Sequence, residues 1–132
     1  MIMKAIVVNG PGDMQLVERP MPEIKEPNQV LVKVHAAGIC GSDVGIYHGT
    51  NAAATYPRII GHENVGIVEE IGEGVTRVKV GDRVIIDQVT ACGHCYACSI
   101  GRTNFCDDLH VLGVHVEGGM AEYFCYPADM LV

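Results

Sequence analysis

The sequence lacks a long apolar run and an excess of positive charge, and we expect its first residues not to be a leader segment. None of its apolar stretches approaches the roughly 20 residues that a membrane-spanning helix needs. Its 9 Lys and Arg against 16 Asp and Glu give a formal net charge of −7, which disfavours nucleic acid and anionic membranes as partners. Residues 1–8 carry one lysine and no small-residue cleavage site, unlike a signal peptide. We therefore expect a cytoplasmic protein with reduced thiols.

Tryptophan is also absent, whereas the 132 residues include 16 glycines, 6 prolines and 48% hydrophobic residues. This composition favours a single turn-rich β domain with its own core over a helical bundle. The pattern predicts a mainly β fold, barrel-like or a folded sheet, with function on the loops between strands. Alternating and β-branched runs predict strands at residues 3–8, 14–18, 29–37, 65–71, 83–89 and 120–126, with short helical turns near 42–48 and among the cysteines.

The cysteines carry the strongest signal in the sequence. Cys92, Cys95, Cys98 and Cys106 are separated by two, two and seven residues. This spacing matches one tetrahedral zinc ion held by four thiolates, a structural site with no open position for substrate. The competing interpretation is a pair of disulfides or a redox pair, which the spacing and the lack of a signal peptide disfavour. His94 could replace one thiolate, but we expect it to be an exposed loop residue.

A second constellation lies upstream of the cysteine cluster. Cys40 follows the clearest predicted strand, and the pair His62-Glu63 begins 22 positions further on. A thiol, an imidazole and a carboxylate beside β-strands are the donor types of a catalytic zinc with three protein ligands and water. The alternative is a buried Cys40 and an unrelated surface pair, because this spacing is far less diagnostic than a cysteine run.

Five segments resemble motifs of the zinc-dependent medium-chain alcohol and polyol dehydrogenases, in family order along nearly the whole chain. Residues 61–75 are similar to the family's zinc signature, and Cys40-Gly41-Ser42-Asp43 is similar to its first-ligand motif. The four-cysteine segment resembles the structural zinc lobe of the family, here about residues 90–108. Residues 81–84 and 118–123 resemble its usual strand and turn segments. Within the family, the sequence looks most like the branch acting on polyols such as sorbitol, on threonine and on sugar acids.

The resemblance implies that residues 1–132 form a GroES-like catalytic domain, a partly open β-barrel with a zinc-binding lobe and few short helices. The family joins this domain to a Rossmann domain that binds NAD or NADP. Residues 72–77 lack the third glycine of G-x-G-x-x-G and lie between predicted strands, so we expect no cofactor-binding residues here. We expect the N-terminal part of an NAD(P)-dependent oxidoreductase, inactive alone, whose full-length form is a homo-oligomer.

By the same resemblance, two zinc ions are expected per chain. Cys40 and His62 would be direct ligands of the catalytic ion, and Glu63 a ligand or near-ligand that exchanges with water. Asp43 would orient His62 through its second ring nitrogen. Ser42 would touch the substrate oxygen and pass its proton toward solvent. The implied reaction oxidises a small secondary alcohol, polyol or sugar acid to a carbonyl.

One departure from the family pattern affects the proton relay. Many relatives carry a histidine five residues after the first cysteine, where this chain has Gly45. His48 lies nearby and could take over by another path, although an ordinary loop histidine is the simpler interpretation. Cys125, in a predicted β run, is interpreted as a buried core thiol.

Two other functions stay open on the residues alone. One is a free-standing, zinc-stabilised β domain with a binding or assembly role. A reading frame that continues into a G-x-G-x-x-G segment would distinguish the dehydrogenase from this alternative. The other is a zinc ribbon that binds nucleic acid, which the acidic charge balance disfavours.

Overall fold

Antiparallel strands make up most of the regular secondary structure in a computed structural model that describes all 132 residues. The strands are β1 (Ile2–Gly10), β2 (Asp13–Pro20), β3 (Gln29–Gly38), β4 (Arg58–Ile59), β5 (Glu63–Ile71), β6 (Arg83–Ile85), β7 (Val89–Thr90), β8 (His110–Val111) and β9 (Tyr123–Pro127). They form a sheet of order β2-β1-β4, a sheet of order β6-β5-β3-β9 and the pair β7-β8. None of the sheets closes on itself, so the predicted mainly β, partly open fold is confirmed.

Helices are few and short, as predicted. The α-helices are α1 (Gly41–His48) and α2 (Tyr96–Ser99), and 3-10 turns occur at Thr103–Phe105 and Ala128–Met130. No helix is long and apolar enough to cross a membrane.

The main hydrophobic core lies against one face of the four-stranded sheet. Strand β3 begins with a β-branched run whose inward side chains are fully covered, and the partner strands β5, β6 and β9 add their own inward residues. A smaller cluster joins α1 to β1, to Ile60 just before the metal motif and to Val114 shortly after β8. The large core contains Val30, Val32, Val68, Val75, Val84, Ile86, Leu112, Phe124, Tyr126, Ala128 and Leu131, and the smaller cluster contains Val8, Ile46, Ile60 and Val114.

Three sequence expectations need correction. The predicted strand at 83–89 is two short strands, β6 and β7, separated by residues 86–88. The predicted strand at 120–126 begins only at Tyr123, because residues 120–122 bond to β1 before the chain crosses to β3. Cys125 is half-buried, since Phe124 and Tyr126 take the inward positions of β9 and the alternation turns the thiol to the opposite face.

Candidate metal centre

Three donor side chains from separate segments converge at one place. The Sγ of Cys40, a ring nitrogen of His62 and a carboxylate oxygen of Glu63 all lie within 4.8 Å of one another. His62 is buried, Cys40 is partly buried and Glu63 is exposed. The three donors therefore face a common point that solvent reaches from the side of Glu63.

The pairing of two strands brings these donors together. Strands β3 and β5 are antiparallel, and the last residue of β3, Gly38, lies directly opposite the first residue of β5, Glu63. Cys40 follows two residues after β3 and is the N-cap of α1, while His62 immediately precedes β5. Donors that are distant in the sequence thus meet at the shared end of a strand ladder.

Asp43 links the two innermost donors. Its Oδ2 accepts a hydrogen bond of 2.9 Å from the backbone N–H of Cys40 at the start of α1. Its Oδ1 lies 3.7 Å from Nδ1 of His62, which is beyond hydrogen-bond length. Asp43 and His62 are only 2% and 5% exposed, and these two atoms have no other partner. Because buried polar atoms are normally paired, a small approach of the two side chains would satisfy both.

Ser42 lies on the other side of the imidazole. Its Oγ is 3.4 Å from Nε2 of His62. Since Nδ1 faces Asp43, Nε2 is the nitrogen left to act as a metal donor. The Ser42 hydroxyl therefore borders the candidate coordination point, and its contact with a substrate oxygen stays a prediction.

His48 is not one of the residues of the donor cluster. It ends α1, is exposed, and packs its ring edge-on against Tyr47 with the centroids 5.1 Å apart. Gly45 occupies the position where many relatives carry the relay histidine. A Cβ atom there would lie 3.4 Å from Oγ1 of Thr50 and 3.7 Å from Cβ of Asn51. These contacts favour the interpretation of His48 as an ordinary surface residue.

Close backbone packing fixes the segment that carries His62. The N–H groups of residues 118–120 donate to the carbonyls of residues 59–61 over 2.6–2.9 Å. The segment also passes so near Gly113 that a Cβ atom there would lie 2.7 Å from backbone atoms of Gly61. A larger residue at position 113 would therefore push the two segments apart and displace His62.

Sequence reasoning missed a buried polar residue beside the metal motif. Asn64 is 2% exposed, and its Nδ2 donates a 2.9 Å hydrogen bond to the carbonyl of Gly119. The bond ties the start of β5 to the loop that is also hydrogen-bonded to residues 59–61. The sequence did contain a sign of this residue's role. Asn64 alternates with inward-facing Gly66 and Val68, so it occupies an inward position where an apolar residue is usual.

The four clustered cysteines also converge. Their Sγ atoms all lie within 4.8 Å of one another, and every cysteine of the chain is an unpaired thiol. The sulfurs of Cys92 and Cys98 are 4.0 Å apart, near the separation of about 3.8 Å that follows from Zn–S bonds of about 2.3 Å in a tetrahedron. Backbone N–H groups donate to Cys92 and Cys106 sulfurs over 3.2–3.4 Å. His94 is exposed, as expected.

Electrostatics within this cluster favour a cation. Backbone N–H groups of Asp107 and Cys98 lower the pKa of Cys95 to about 6. Desolvation and the neighbouring thiols raise the pKa of Cys98 to about 12. One thiolate thus forms readily near neutral pH, but additional negative charge is resisted. A divalent cation would remove that resistance and release protons as it binds.

Both donor sets fit zinc by their chemistry. Four thiolates would saturate a tetrahedral ion and leave no position for another ligand. The set of Cys40, His62 and Glu63 would leave a position for water or substrate. The two unpaired buried atoms of Asp43 and His62 also fit, because a metal-bound imidazole usually donates its second N–H to a carboxylate.

The family profile of the alcohol dehydrogenase GroES-like domain matches residues 26–132. An uncharacterised zinc-type alcohol dehydrogenase-like protein of Haemophilus influenzae is 54% identical over 129 residues, which are 97% of this chain and 37% of that protein. The chain therefore spans little more than a third of this relative's length.

Solved structures agree with this match. The alcohol dehydrogenase RspB from Escherichia coli CFT073, complexed with NADH, superposes with a TM-score of 0.91 and 48% identity, over 99% of this chain and 38% of that one. A thermostable alcohol dehydrogenase of Pyrobaculum aerophilum with bound cobalt and zinc has a TM-score of 0.89 and 37% identity, over 100% of this chain and 41% of that one. The strand arrangement, the profile and these likenesses agree that the chain belongs to the alcohol dehydrogenase GroES-like domain family.

Proposed function

We propose that residues 1–132 are the metal-bearing catalytic domain of a zinc- and NAD(P)-dependent dehydrogenase for secondary alcohols, polyols or sugar acids. The observation that carries this proposal is the convergence of Cys40, His62 and Glu63 within 4.8 Å, with Asp43 behind the imidazole. A thiol, an imidazole and an exposed carboxylate at the end of a rigid strand pair form an incomplete coordination sphere, as a catalytic zinc requires.

The relatives support the cofactors of this proposal. A zinc-type protein, a structure with NADH and a structure with cobalt and zinc all share the domain. Each of them is more than twice as long as this chain. Here every strand ladder is antiparallel, which is unlike the parallel sheet of a dinucleotide-binding unit. We infer that NAD or NADP binds to a further domain of the longer protein.

Each residue of the site has a defined part in the proposed reaction. When bound, zinc supplies the Lewis-acid charge that lowers the pKa of an alcohol oxygen, and the nicotinamide accepts the hydride. Cys40 and His62 would hold the ion with Glu63 as the third, exchangeable donor, and Asp43 would fix the ring of His62 through Nδ1. The Ser42 hydroxyl accepts the proton of the substrate hydroxyl and passes it toward solvent. The alcohol thus loses one proton and one hydride and becomes a carbonyl.

The four-cysteine site has a separate role in the proposal. Cys92, Cys95, Cys98 and Cys106 hold a second zinc that keeps the lobe of about residues 90–108 in shape. With four protein ligands this ion takes no part in the chemistry.

Metal content per chain tests the proposal. We expect two zinc ions in the purified chain, one in Cys40→Ala and one in Cys98→Ala, measured by atomic emission against protein concentration. The chain alone should neither bind nicotinamide cofactor nor oxidise alcohols. One zinc in the wild type, lost only in Cys98→Ala, would instead favour a zinc-stabilised binding or assembly domain. Hydride transfer by the chain alone would contradict the assignment of the cofactor to another domain.

A further inference from the structure

Gly38, which has no side chain, lies at the edge of the upstream donor cluster of Cys40, His62 and Glu63. Gly38 is the direct cross-strand partner of Glu63. A methyl group on Gly38 would lie 2.6 Å from Oε2 of Glu63 and 3.1 Å from its Cβ. In ordinary cross-strand pairs the two Cβ atoms are about 4.5–5.5 Å apart. The Glu63 side chain therefore occupies the space in which the side chain of any other residue 38 would lie.

Backbone conformation gives no other reason for glycine at this position. Seven glycines of the chain have positive φ angles, and Gly38 is not one of them. An alanine could adopt its backbone without strain, and would even lose less entropy on folding. Glycine is therefore needed at position 38 for steric reasons, because the Glu63 carboxylate occupies the space that a side chain there would fill.

Glu63 has little else to hold it near the other donors. Its side chain is exposed and takes part in no hydrogen bond with another side chain and in no ion pair. Asp43, by contrast, is fixed by the N–H of Cys40. The direction of the Glu63 carboxylate toward Cys40 and His62 therefore depends on the free path over Gly38.

We propose that Gly38 is a positioning residue that admits the Glu63 carboxylate to the metal site as its third protein donor. The inference rests on the proposed function, because it takes Cys40, His62 and Glu63 as the ligands. Gly38→Ala would turn the carboxylate aside and leave two protein donors. Changes that misplace a ligand or its support commonly weaken metal binding about 10–100-fold, and we expect a loss of at least about tenfold here.

Cobalt binding to the 132-residue chain tests this inference. Co(II) reports thiolate ligation by charge-transfer absorption and coordination geometry by its visible bands. The spectrum of wild type minus that of Cys40→Ser isolates the upstream site from the four-cysteine site. Affinity is measured by competition with a chelator in wild type, Gly38→Ala, Glu63→Ala and the double variant. Gly10→Ala is the matched control, because a Cβ atom there has no neighbour within 4 Å.

The expected pattern is specific to positioning. Gly38→Ala alone should lower the cobalt affinity and alter the visible bands. The double variant should have the same affinity and the same bands as Glu63→Ala. Its urea unfolding midpoint should stay close to that of Gly10→Ala. Wild-type affinity in Gly38→Ala, or an equal loss with and without the carboxylate, would overturn the inference alone. No difference between wild type and Cys40→Ser would overturn the proposed metal site, and the inference with it.

Discussion

Two donor clusters of the same compactness lie in this chain on very different supports. The upstream donors occupy the end of the β3–β5 ladder and the start of α1, whose Ile46 is fully buried in a hydrophobic cluster. The four cysteines lie in a lobe that contributes no residue to the two hydrophobic clusters described above, nor to the small cluster of Ala5, Val7 and Ile59. Its α2 and the 3-10 turn after it bury no residue. The upstream site is thus supported by a hydrophobic core. The lobe has no such core, so the four-cysteine site is what would hold it together.

This difference predicts opposite dependence on metal. A structural zinc in small peptides contributes an apparent 10–16 kcal/mol at neutral pH. Whole domains are stable by only about 5–15 kcal/mol. The lobe has nothing comparable among its side chains, so its structure should depend on the ion. The upstream segments are held by strand pairing and packing, so they should keep their positions without it.

The largest expected effect comes from breaking one ligand in each cluster. In Cys98→Ala, amide hydrogens of residues 92–106 should lose protection by orders of magnitude, because no buried side chains remain to order the lobe. In Cys40→Ala, protection throughout the chain should stay near that of the wild type. Hydrogen exchange followed by mass spectrometry measures both variants peptide by peptide.

Cys125→Ala is the matched control for this pair, since it removes a half-buried thiol that belongs to neither cluster. It should leave exchange in the lobe unchanged. Equal loss of protection in Cys40→Ala and Cys98→Ala would break the comparison, because both sites would then be needed for folding.

A smaller effect is expected from Asp43, which acts on the upstream site through His62. Asp43→Asn keeps the size of the side chain but removes the charge that faces Nδ1 of His62. We expect zinc or cobalt affinity at this site to fall about 10–100-fold, with the four-cysteine site unaffected. Chelator competition on the two sites of one sample measures both affinities.

Asp82→Asn is the control for Asp43→Asn. The Oδ2 of Asp82 accepts a 3.0 Å hydrogen bond from the N–H of Lys79, three residues earlier, just as Asp43 accepts from Cys40. The control therefore changes a similar backbone cap away from both donor clusters. If the two variants bound metal equally, Asp43 would be a helix cap and nothing more.

The same contrast explains what could be predicted from the sequence. The lobe's donors are neighbours along the chain, so their spacing alone brings their sulfurs to one ion. The upstream donors meet only through the register of β3 on β5, which shifts between Leu31 and Val32 and again between Val34 and Ala36. A slip of one residue would turn Glu63 to the other face of the sheet. Both strands are visible in the sequence, but the two irregularities are not, so this site was expected on family resemblance.

Some predicted details of the strands were wrong for a related reason. Periodicity marks an apolar run but not which of its two faces meets the core, and Cys125 was assigned to the wrong face of β9. The change of partner at residues 120–122, from β1 to β3, is decided by packing across two sheets. Likewise, the sequence alone does not show that the side chain of Glu63, 25 positions away, fills the space beside Gly38.

The smallest expected effect is a loss of stability at alkaline pH that arises in the large hydrophobic core and not in the lobe. Burial, together with the negative charge of Asp87, raises the pKa of Tyr126 to about 12 from its usual 10. The folded state therefore keeps the phenol proton longer than the unfolded chain does. The resulting stabilisation is fully present below pH 10 and is lost as the pH rises toward 12.

Tyr126→Phe should remove this alkaline sensitivity. The full shift in the pKa of Tyr126 would lower the free energy of unfolding by about 2 kcal/mol between pH 9 and 11.5. Solvent screening of the phenolate reduces this, so we expect the wild type to lose about 1 kcal/mol more than the variant. At pH 8 the two should differ little, because Thr90 is at most a weak partner of the buried Tyr126 hydroxyl: the Thr90 hydroxyl donates to the carbonyl of His110 instead. Urea unfolding at each pH measures the difference, with hydrogen exchange of the zinc-loaded lobe as an internal reference. Parallel loss of stability in both proteins would show that groups other than Tyr126 cause the alkaline unfolding of the barrel.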